Sequence, residues 1–399
     1  MFSVYFFIIF SFSYGSHSHF LVTSVYLHGN GATYLPDNVS VPAIIAFGDS
    51  LLDPGNNNRL MTFTKANFPP YGKDFVGGKP TGRFTNGKTL GDFLDDTQTS
   101  NKKHTRNAPF FSLGPQFSSF LLILIDFIRN QGFGVKEYLP AYLDPSIKDS
   151  DLLTGVSFAS GGSGYDPLTS TLAVVIPLSV QLEMFKKYIS KLKIKVGEEQ
   201  AKHIIANSVY FISAGSNDFL TNYYIYPIRR LRYDVFGYGK MLVKFAMDYI
   251  QEIHKLGARR IVVFSTPPLG CIPIERTIAG GLHRKCVDKY NKAAQLFNSM
   301  LKQEILFLAG RLPETRVAMA DLYNPLISII ENPHQYGLEV TDRGCCGIGI
   351  IEMSFSCNKL SKLCRDDSKF LFWDSLHPTE KGCDIYINLI LPNLLKSLF

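Results

Sequence analysis

The sequence predicts an α/β fold, a parallel sheet covered by helices on both faces, and three observations predict it. Short apolar, β-branched runs of strand length stand far apart at 43–47, 155–158, 209–213, 260–264 and 316–320. The stretches between them carry helical spacing, and strands that alternate with helices make a parallel sheet with crossover helices. No repeat with a period of about 20–50 residues is visible. No Pro/Gly/Ser-rich linker divides the chain after residue 41, which favours one large domain.

The elements follow in order. Residues 4–12 are almost wholly apolar and are followed by Ser13, Gly15 and Ser16. That run has the length of a signal-peptide core and is too short to span a bilayer. Residues 1–18 are therefore expected to be a signal peptide, 19–40 an N-terminal extension and 41–399 the folded domain, so the protein is expected to be secreted. Asn38-Val39-Ser40 is an N-glycosylation acceptor that suits this route. The first strand ends in Phe47-Gly48-Asp49-Ser50-Leu51, where Gly48 permits a tight turn that presents Ser50. Open α/β sheets place their sites at this carboxyl edge. The second strand runs into the glycine-rich stretch Ser160-Gly161-Gly162-Ser163-Gly164, and the third into Ala214-Gly215-Ser216-Asn217-Asp218. Residues 180–192 and 238–256 fit amphipathic helices. Phe297, Leu301, Ile305 and Leu308 recur at intervals of four, four and three, which puts them on one helix face.

Composition narrows the function. Apolar residues make up 46% and charged residues 19% of the 399 residues, so the chain can bury a large core and is not disordered as a whole. The net charge of +7 is mild for this length and forms no basic stripe of the kind that binds nucleic acid. No run reaches the roughly 18 apolar residues of a membrane span. All seven cysteines (271, 286, 345, 346, 357, 364 and 383) lie in the C-terminal third. They show no C-x-x-C zinc pattern and, in an oxidising compartment, read as disulfides stapling C-terminal loops. Seven is odd, and Cys383 is the candidate free thiol because it sits in a helical stretch as a small apolar residue.

The chemistry-bearing residues suggest a serine nucleophile. Ser50 needs a base, and the base needs an orienting group. Asp374 and His377 stand three residues apart in Phe372-Trp373-Asp374-Ser375-Leu376-His377-Pro378. That spacing lets the carboxylate reach Nδ1 and leaves Nε2 free toward the serine. The negative charge that builds on a carbonyl oxygen needs fixed donors. The Ser50 backbone N–H, a glycine N–H from Gly161 (with Gly162 the near alternative) and the Asn217 side-chain amide are the candidates. A dinucleotide-binding reading of Gly162-x-Gly164 is weak, because the chain runs into Asp166-Pro167 with no third glycine.

Together these blocks resemble those of the SGNH hydrolases, and closely resemble the plant GDSL esterase/lipase family. The resemblance rests on Gly48-Asp49-Ser50-Leu51 leading into Asp53-x-Gly55-Asn56-Asn57, then Pro69-Pro70-Tyr71-Gly72 and Gly82-Arg83-Phe84-x-Asn86-Gly87. It continues through Gly155-Val156-x-Phe158-Ala159-Ser160-Gly161-Gly162, Gly215-x-Asn217-Asp218, Cys345-Cys346-Gly347 and Phe372-Trp373-Asp374-x-x-His377-Pro378. It implies a three-layer α/β/α sandwich with about five parallel strands (flavodoxin-like). It also implies Ser50 as nucleophile, His377 as general base oriented by Asp374, and an oxyanion hole of Ser50, Gly161 and Asn217. No metal and no cofactor are implied. The implied substrate is an acyl ester or lipid, hydrolysed through an acyl-enzyme by a monomer that binds no nucleic acid. Asp49 is expected to hold the turn, and Arg83 to be buried or paired. Carbohydrate O-deacetylation, acyl transfer to an alcohol, and a non-catalytic binding protein on the same scaffold are the rival readings.

One segment departs from the family. Relatives usually follow Gly87-Lys88-Thr89-Leu90-Gly91-Asp92-Phe93-Leu94 within a few residues by a stretch like Leu139-Pro140-Ala141-Tyr142. Here residues 97–132 intervene, a basic polar stretch and then the apolar run 120–125. This insertion is expected to be translated intron or a gene-model error, with a real insertion, such as an extra core helix or a lid, as the rival reading. Its Lys102, Lys103, Arg106 and Arg129 against Asp126 contribute +3, so the charge without it falls from +7 to +4.

Overall fold

The computed structural model describes residues 7–14, 17–24, 40–95 and 135–399. The acceptor Asn38 and the atypical segment 97–132 lie outside the described residues, as do parts of the expected signal peptide and extension. Phe7–Tyr14 and His17–Ser24 pair as an antiparallel hairpin separate from the main sheet.

The main sheet has four parallel strands in spatial order, β1 (Ile44–Gly48), β2 (Val209–Ser213), β3 (Arg260–Phe264) and β4 (Arg316–Ala320). Register runs from Ile44 beside Val209 and from Arg260 beside Arg316. Side chains alternate across it as strand geometry requires. Ile45, Phe47, Tyr210, Ile212, Ile261 and Val263 enter one core with the helices Leu178–Val196, Val235–Lys255 and Asp288–Ala309. Ile44, Ala46, Val209, Phe211, Val262 and Phe264 enter a second core with Leu90–Asp95, Tyr323–Glu331 and Glu380–Leu398. Two cores on opposite faces of one sheet make a three-layer α/β/α sandwich. The expected face Phe297, Leu301, Ile305 and Leu308 is buried in the first core.

The expected fifth strand, 155–158, is only an irregular neighbour of β1. Its bonds to β1 are Ala46 N–H to Val156 O (3.1 Å) and Phe158 N–H to Ala46 O (2.7 Å). Its outer side is claimed by loops instead of a ladder. Ser157 N–H donates to Pro140 O, Tyr142 N–H donates to Ser157 O, and the Asn56 amide donates to Ser157 O and Ala159 O. Counting that segment, the chain steps from β1 to one side and then crosses to β2 on the other. This reversal is the switch point at which open α/β sheets bind ligands.

A small parallel sheet pairs β5 (Val340–Gly344) with β6 (Phe370–Phe372). Cys345 N–H donates to Phe372 O and Cys346 N–H to Trp373 O. Disulfides Cys345–Cys364 and Cys346–Cys357 staple the loop that follows β5, and Cys271–Cys286 staples the loop that follows β3. Cys383 is the free, buried cysteine. Among the described residues, no single helix is long and apolar enough to cross a membrane.

Candidate active site

The turn after β1 is built for close approach. Gly48 has φ +119°, and a Cβ there would stand 1.8 Å from Ser213 O. Only glycine fits, so the chain turns sharply against β2 and raises Ser50 at the carboxyl edge. Asp49 accepts from Leu51 N–H (3.1 Å) and from the Ser213 hydroxyl (2.9 Å), holding this turn as expected. Burial pushes its carboxyl up to about 6, against the pull of those hydrogen bonds.

Gln181 clamps the same turn from the helix Leu178–Val196. Its Oε1 accepts from Gly48 N–H (2.8 Å) and its Nε2 donates to Gly48 O (3.0 Å). Sequence reasoning missed this residue. The signal in the sequence was its place among Leu178, Leu182 and Phe185, a polar residue at helical spacing on the apolar face, and the structure buries it there.

β6 delivers the other half of the site. It runs into Trp373 and then Asp374, whose Oδ1 accepts from Leu376 N–H (2.8 Å) and His377 N–H (2.7 Å). This Asx-type turn folds the imidazole back onto the carboxylate. His377 Nδ1 lies 2.8 Å from Asp374 Oδ2, and Nε2 lies 2.9 Å from Ser50 Oγ. Residues 50, 374 and 377, which stand 327 positions apart at the extremes, thus form one hydrogen-bonded line. Ser50 and His377 are 9% and 5% exposed and Asp374 is fully buried, so the line is screened from water yet open at its serine end.

Two aromatic residues support this line. Tyr71 donates its hydroxyl to Asp374 Oδ2 at 2.7 Å. Burial, and then the Asp374 charge, raise the Tyr71 pKa well above its ordinary value and keep it a donor. Phe84 packs its ring 4.9 Å from the His377 ring. Its neighbour Arg83 is both buried and paired, with Nε 2.7 Å and Nη2 2.6 Å from the Asp92 carboxylate. The motifs holding Tyr71 and Phe84 were legible in the sequence, but nothing in them announced contact with Asp374 and His377.

The two candidate glycine amides differ in their partners. Gly161 N–H donates to Asp53 Oδ2 at 2.8 Å, so that hydrogen is committed and does not face a substrate oxygen. Asp53 also accepts from Gly55 N–H and Asn56 N–H, each at 2.7 Å, and burial pushes its carboxyl up to about 6. Gly162 is half-buried with φ +87°, and among the described residues its N–H has no partner. Of the two glycine amides, that of Gly162 is thus the one without a partner among the described residues. Ser50 N–H is likewise without a partner among the described residues. The Asn217 amide donates to Ser163 O at 2.9 Å, which fixes its rotamer and leaves its second N–H. Asp218 anchors the neighbouring loop by accepting from Tyr165 N–H (2.9 Å) and Asp166 N–H (3.0 Å).

An apolar cavity of about 50 Å³ lies in the core behind the line, and Ser50, Asp374 and His377 do not line it. It is lined by Leu51, which follows Ser50, by Leu376 and Pro378, which flank His377, and by Pro267, Ile272 and Leu322. Among the described residues, no group of three or more His, Cys, Asp or Glu side chains is placed to hold a metal ion.

A family model described as GDSL-like Lipase/Acylhydrolase matches residues 44–390. The chain is 42% identical over 377 residues to the Arabidopsis thaliana GDSL esterase/lipase At5g42170, covering 94% of this chain and 92% of that protein. It is also 42% identical over 361 residues to the GDSL esterase/lipase EXL3 of the same plant, covering 90% and 89%.

Proposed function

The chain belongs to the GDSL-like lipase/acylhydrolase family, and from that premise we propose that Ser50 is its nucleophile, His377 the general base and Asp374 the group that orients it. Membership makes the protein a hydrolase of ester bonds. The observation that carries the residue roles is the continuous line Asp374–His377–Ser50, at 2.8 and 2.9 Å.

In this reading Ser50 Oγ adds to the ester carbonyl carbon as its proton passes to His377 Nε2. The carbonyl oxygen becomes an oxyanion, met by the Ser50 and Gly162 N–H groups and the Asn217 amide. Collapse expels the alcohol, which leaves with the proton from His377. Water then adds to the acyl-enzyme with His377 again as base, and the carboxylic acid departs.

The three disulfides are consistent with secretion, which residues 1–18 as signal peptide would direct. Residues 97–132 are in this reading translated intron or a gene-model error, and no part of the working enzyme. The test is turnover of p-nitrophenyl acyl esters of graded chain length beside a Ser50→Ala control. Turnover by the parent that the control lacks supports the assignment, and equal rates in both abolish it.

A further inference from the structure

Four apolar side chains stand out in solvent near the line of three. Met61 is 93% exposed, Phe63 80%, Phe355 62% and Val174 61%. They come from three separate segments that contacts hold together. The Phe63 and Phe355 rings lie 5.5 Å apart between centroids. The Thr62 hydroxyl, between Met61 and Phe63, donates to Ala173 O at 2.8 Å, next to Val174. Exposed apolar residues scattered singly are ordinary, but a group joined in this way forms a patch.

Each segment is also tied to the site. A Cβ at Gly162 would stand 3.2 Å from Ala173 Cβ and 3.3 Å from Thr64 Cγ2, so this glycine lies against the chain neighbours of Val174 and Phe63. The Asn57 amide donates to Thr64 O (2.8 Å) and to Gly161 O (2.9 Å). Phe355 lies in the loop closed by Cys346–Cys357. Ser375 N–H, in the turn between Asp374 and His377, donates to Glu352 O of that loop at 2.8 Å. Strained backbone places two of the four side chains. Val174 (φ +55°) and Ser354 (φ +47°), the residue before Phe355, are left-handed, which is rare outside glycine and rarest for a β-branched residue.

We propose that Met61, Phe63, Val174 and Phe355 form a rim that docks the site onto the surface of an aggregated apolar ester, a droplet or lipid layer, from which one molecule enters at Ser50. The inference rests on the ester-hydrolase reading of the neighbouring line. The occupant follows from the place of the patch. Its segments touch Gly162 and the Asp374–His377 turn, so whatever covers the patch also meets the serine end of the line. A protein seated there would obstruct the site, whereas an ester surface supplies it. Charge agrees with this. Residues 59–65 place Arg59 and Lys65 on either side of Met61 and Phe63 and contain no acid. The Glu352 carboxylate, in the Phe355 loop, is turned onto backbone N–H groups of that loop. Hydrolysis leaves carboxylates at an ester surface, and cations beside buried apolar tips strengthen attachment to such a surface.

The experiment reads docking without turnover. Ser50→Ala protein is mixed with triolein droplets coated with phosphatidylcholine and oleate, and the fraction that floats with the droplets is measured. Adding Phe63→Gln or Met61→Gln should each weaken this partition about tenfold, the worth of one such side chain withdrawn from apolar surroundings. Ile194→Gln should leave it unchanged. Ile194 is 88% exposed, but it sits at the far end of the helix whose Gln181 clamps the turn after β1, about 20 Å along the axis. No partition of the Ser50→Ala protein, partition that survives both rim substitutions, or an equal loss with Ile194→Gln overturns the proposal. Self-association in solution that Phe63→Gln abolishes would make the patch an interface between two copies and also overturn it. Gln at these exposed positions should leave the melting temperature unchanged. A drop of several degrees would make the rim a part of the packing, against the proposal. Turnover of p-nitrophenyl butyrate by the Ser50 enzyme is measured in parallel. Its absence counts against ester hydrolysis, while flotation still decides the role of the rim.

Discussion

Tyr71 donates its hydroxyl to Asp374 Oδ2 at 2.7 Å, the same oxygen that faces His377 Nδ1 at 2.8 Å. One carboxylate oxygen is thus fixed from two sides, so the tyrosine holds in place the carboxylate that orients the imidazole. Tyr71→Phe removes the bond and leaves the ring packing against Phe68, Phe84 and Trp373. We expect kcat to fall about tenfold, or about 1.4 kcal/mol, with KM nearly unchanged. A rise in KM at constant kcat would mean that Tyr71 contacts substrate instead of holding Asp374.

The line of three should act as a unit. Ser50→Ala and His377→Gln should each lower kcat by about 10⁴-fold or more. The double variant should be no worse than either single, because each removes the same nucleophilic path. Steady-state rates on one ester for all three proteins check this. Losses that multiply would show that Ser50 and His377 work in separate steps.

Gly161 and Asn217 separate packing from catalysis. A Cβ at Gly161 would meet the Phe84 ring at 2.5 Å, and Phe84 lies against His377. Gly161→Ala should therefore lower the melting temperature by several degrees, as overpacking does. Asn217→Ala should lower kcat about 10²–10³-fold, the usual loss for one oxyanion donor, with a smaller change in melting. Comparable kcat losses at equal stability for both would return Gly161 to the oxyanion hole.

The sequence was informative where one residue type settles the local physics. Strand-length apolar runs became β1 to β4, and the Asp374–His377 spacing became a turn that closes on itself. It was less informative where partners come from far along the chain. Whether Gly161 or Gly162 turns its amide outward depends on Asp53, 108 positions away, which claims the first. The fifth strand faded for the same reason, since the Asn56 amide takes the carbonyls of Ser157 and Ala159.

Buried carboxyls give stability an unusual pH slope. Burial raises Asp49 and Asp53 to about 6 and Asp218 to about 7, from 3.8, and Glu275 to about 7 from 4.5. Each binds its proton at higher pH when folded than when unfolded. Between about pH 4 and 7 the folded state holds more protons, so these groups make stability fall as pH rises through that window. Asp92 is also penalised by burial, but Arg83 holds it below its ordinary value, so its opposite contribution is lost only below about pH 4. His254, lowered by burial and Arg259, opposes the slope near its own titration, but it is half-buried and single. The melting temperature should be several degrees higher at pH 5 than at pH 8. Asp218→Asn, which does not ionise, should flatten the curve above pH 6. A melting temperature that climbs steadily from pH 5 to 8 would reverse the sign.

Removing residues 97–132 should leave the enzyme working, because the fold ties together the two ends of that segment without it. Asp92 Oδ1 accepts from Leu139 N–H at 3.1 Å, and Arg83 Nη2 donates to Asp92 Oδ1 (2.6 Å) and to Leu139 O (2.9 Å). Asp92 precedes the segment and Leu139 follows it, so one buried ion pair fixes both. Asp95 lies one helical turn beyond Asp92, about 5 Å along the axis. Deletion leaves Asp96 and residues 133–138 as the connection, seven residues with an extended reach of about 23 Å. That reach is ample for a gap of this size. The shortened protein should express at least as well as the full chain, melt at or above its temperature and keep kcat within a few-fold. A folded deletion variant that has lost turnover would make the segment a working part of the site. A transcript whose main form carries all 36 of these codons would overturn the intron origin.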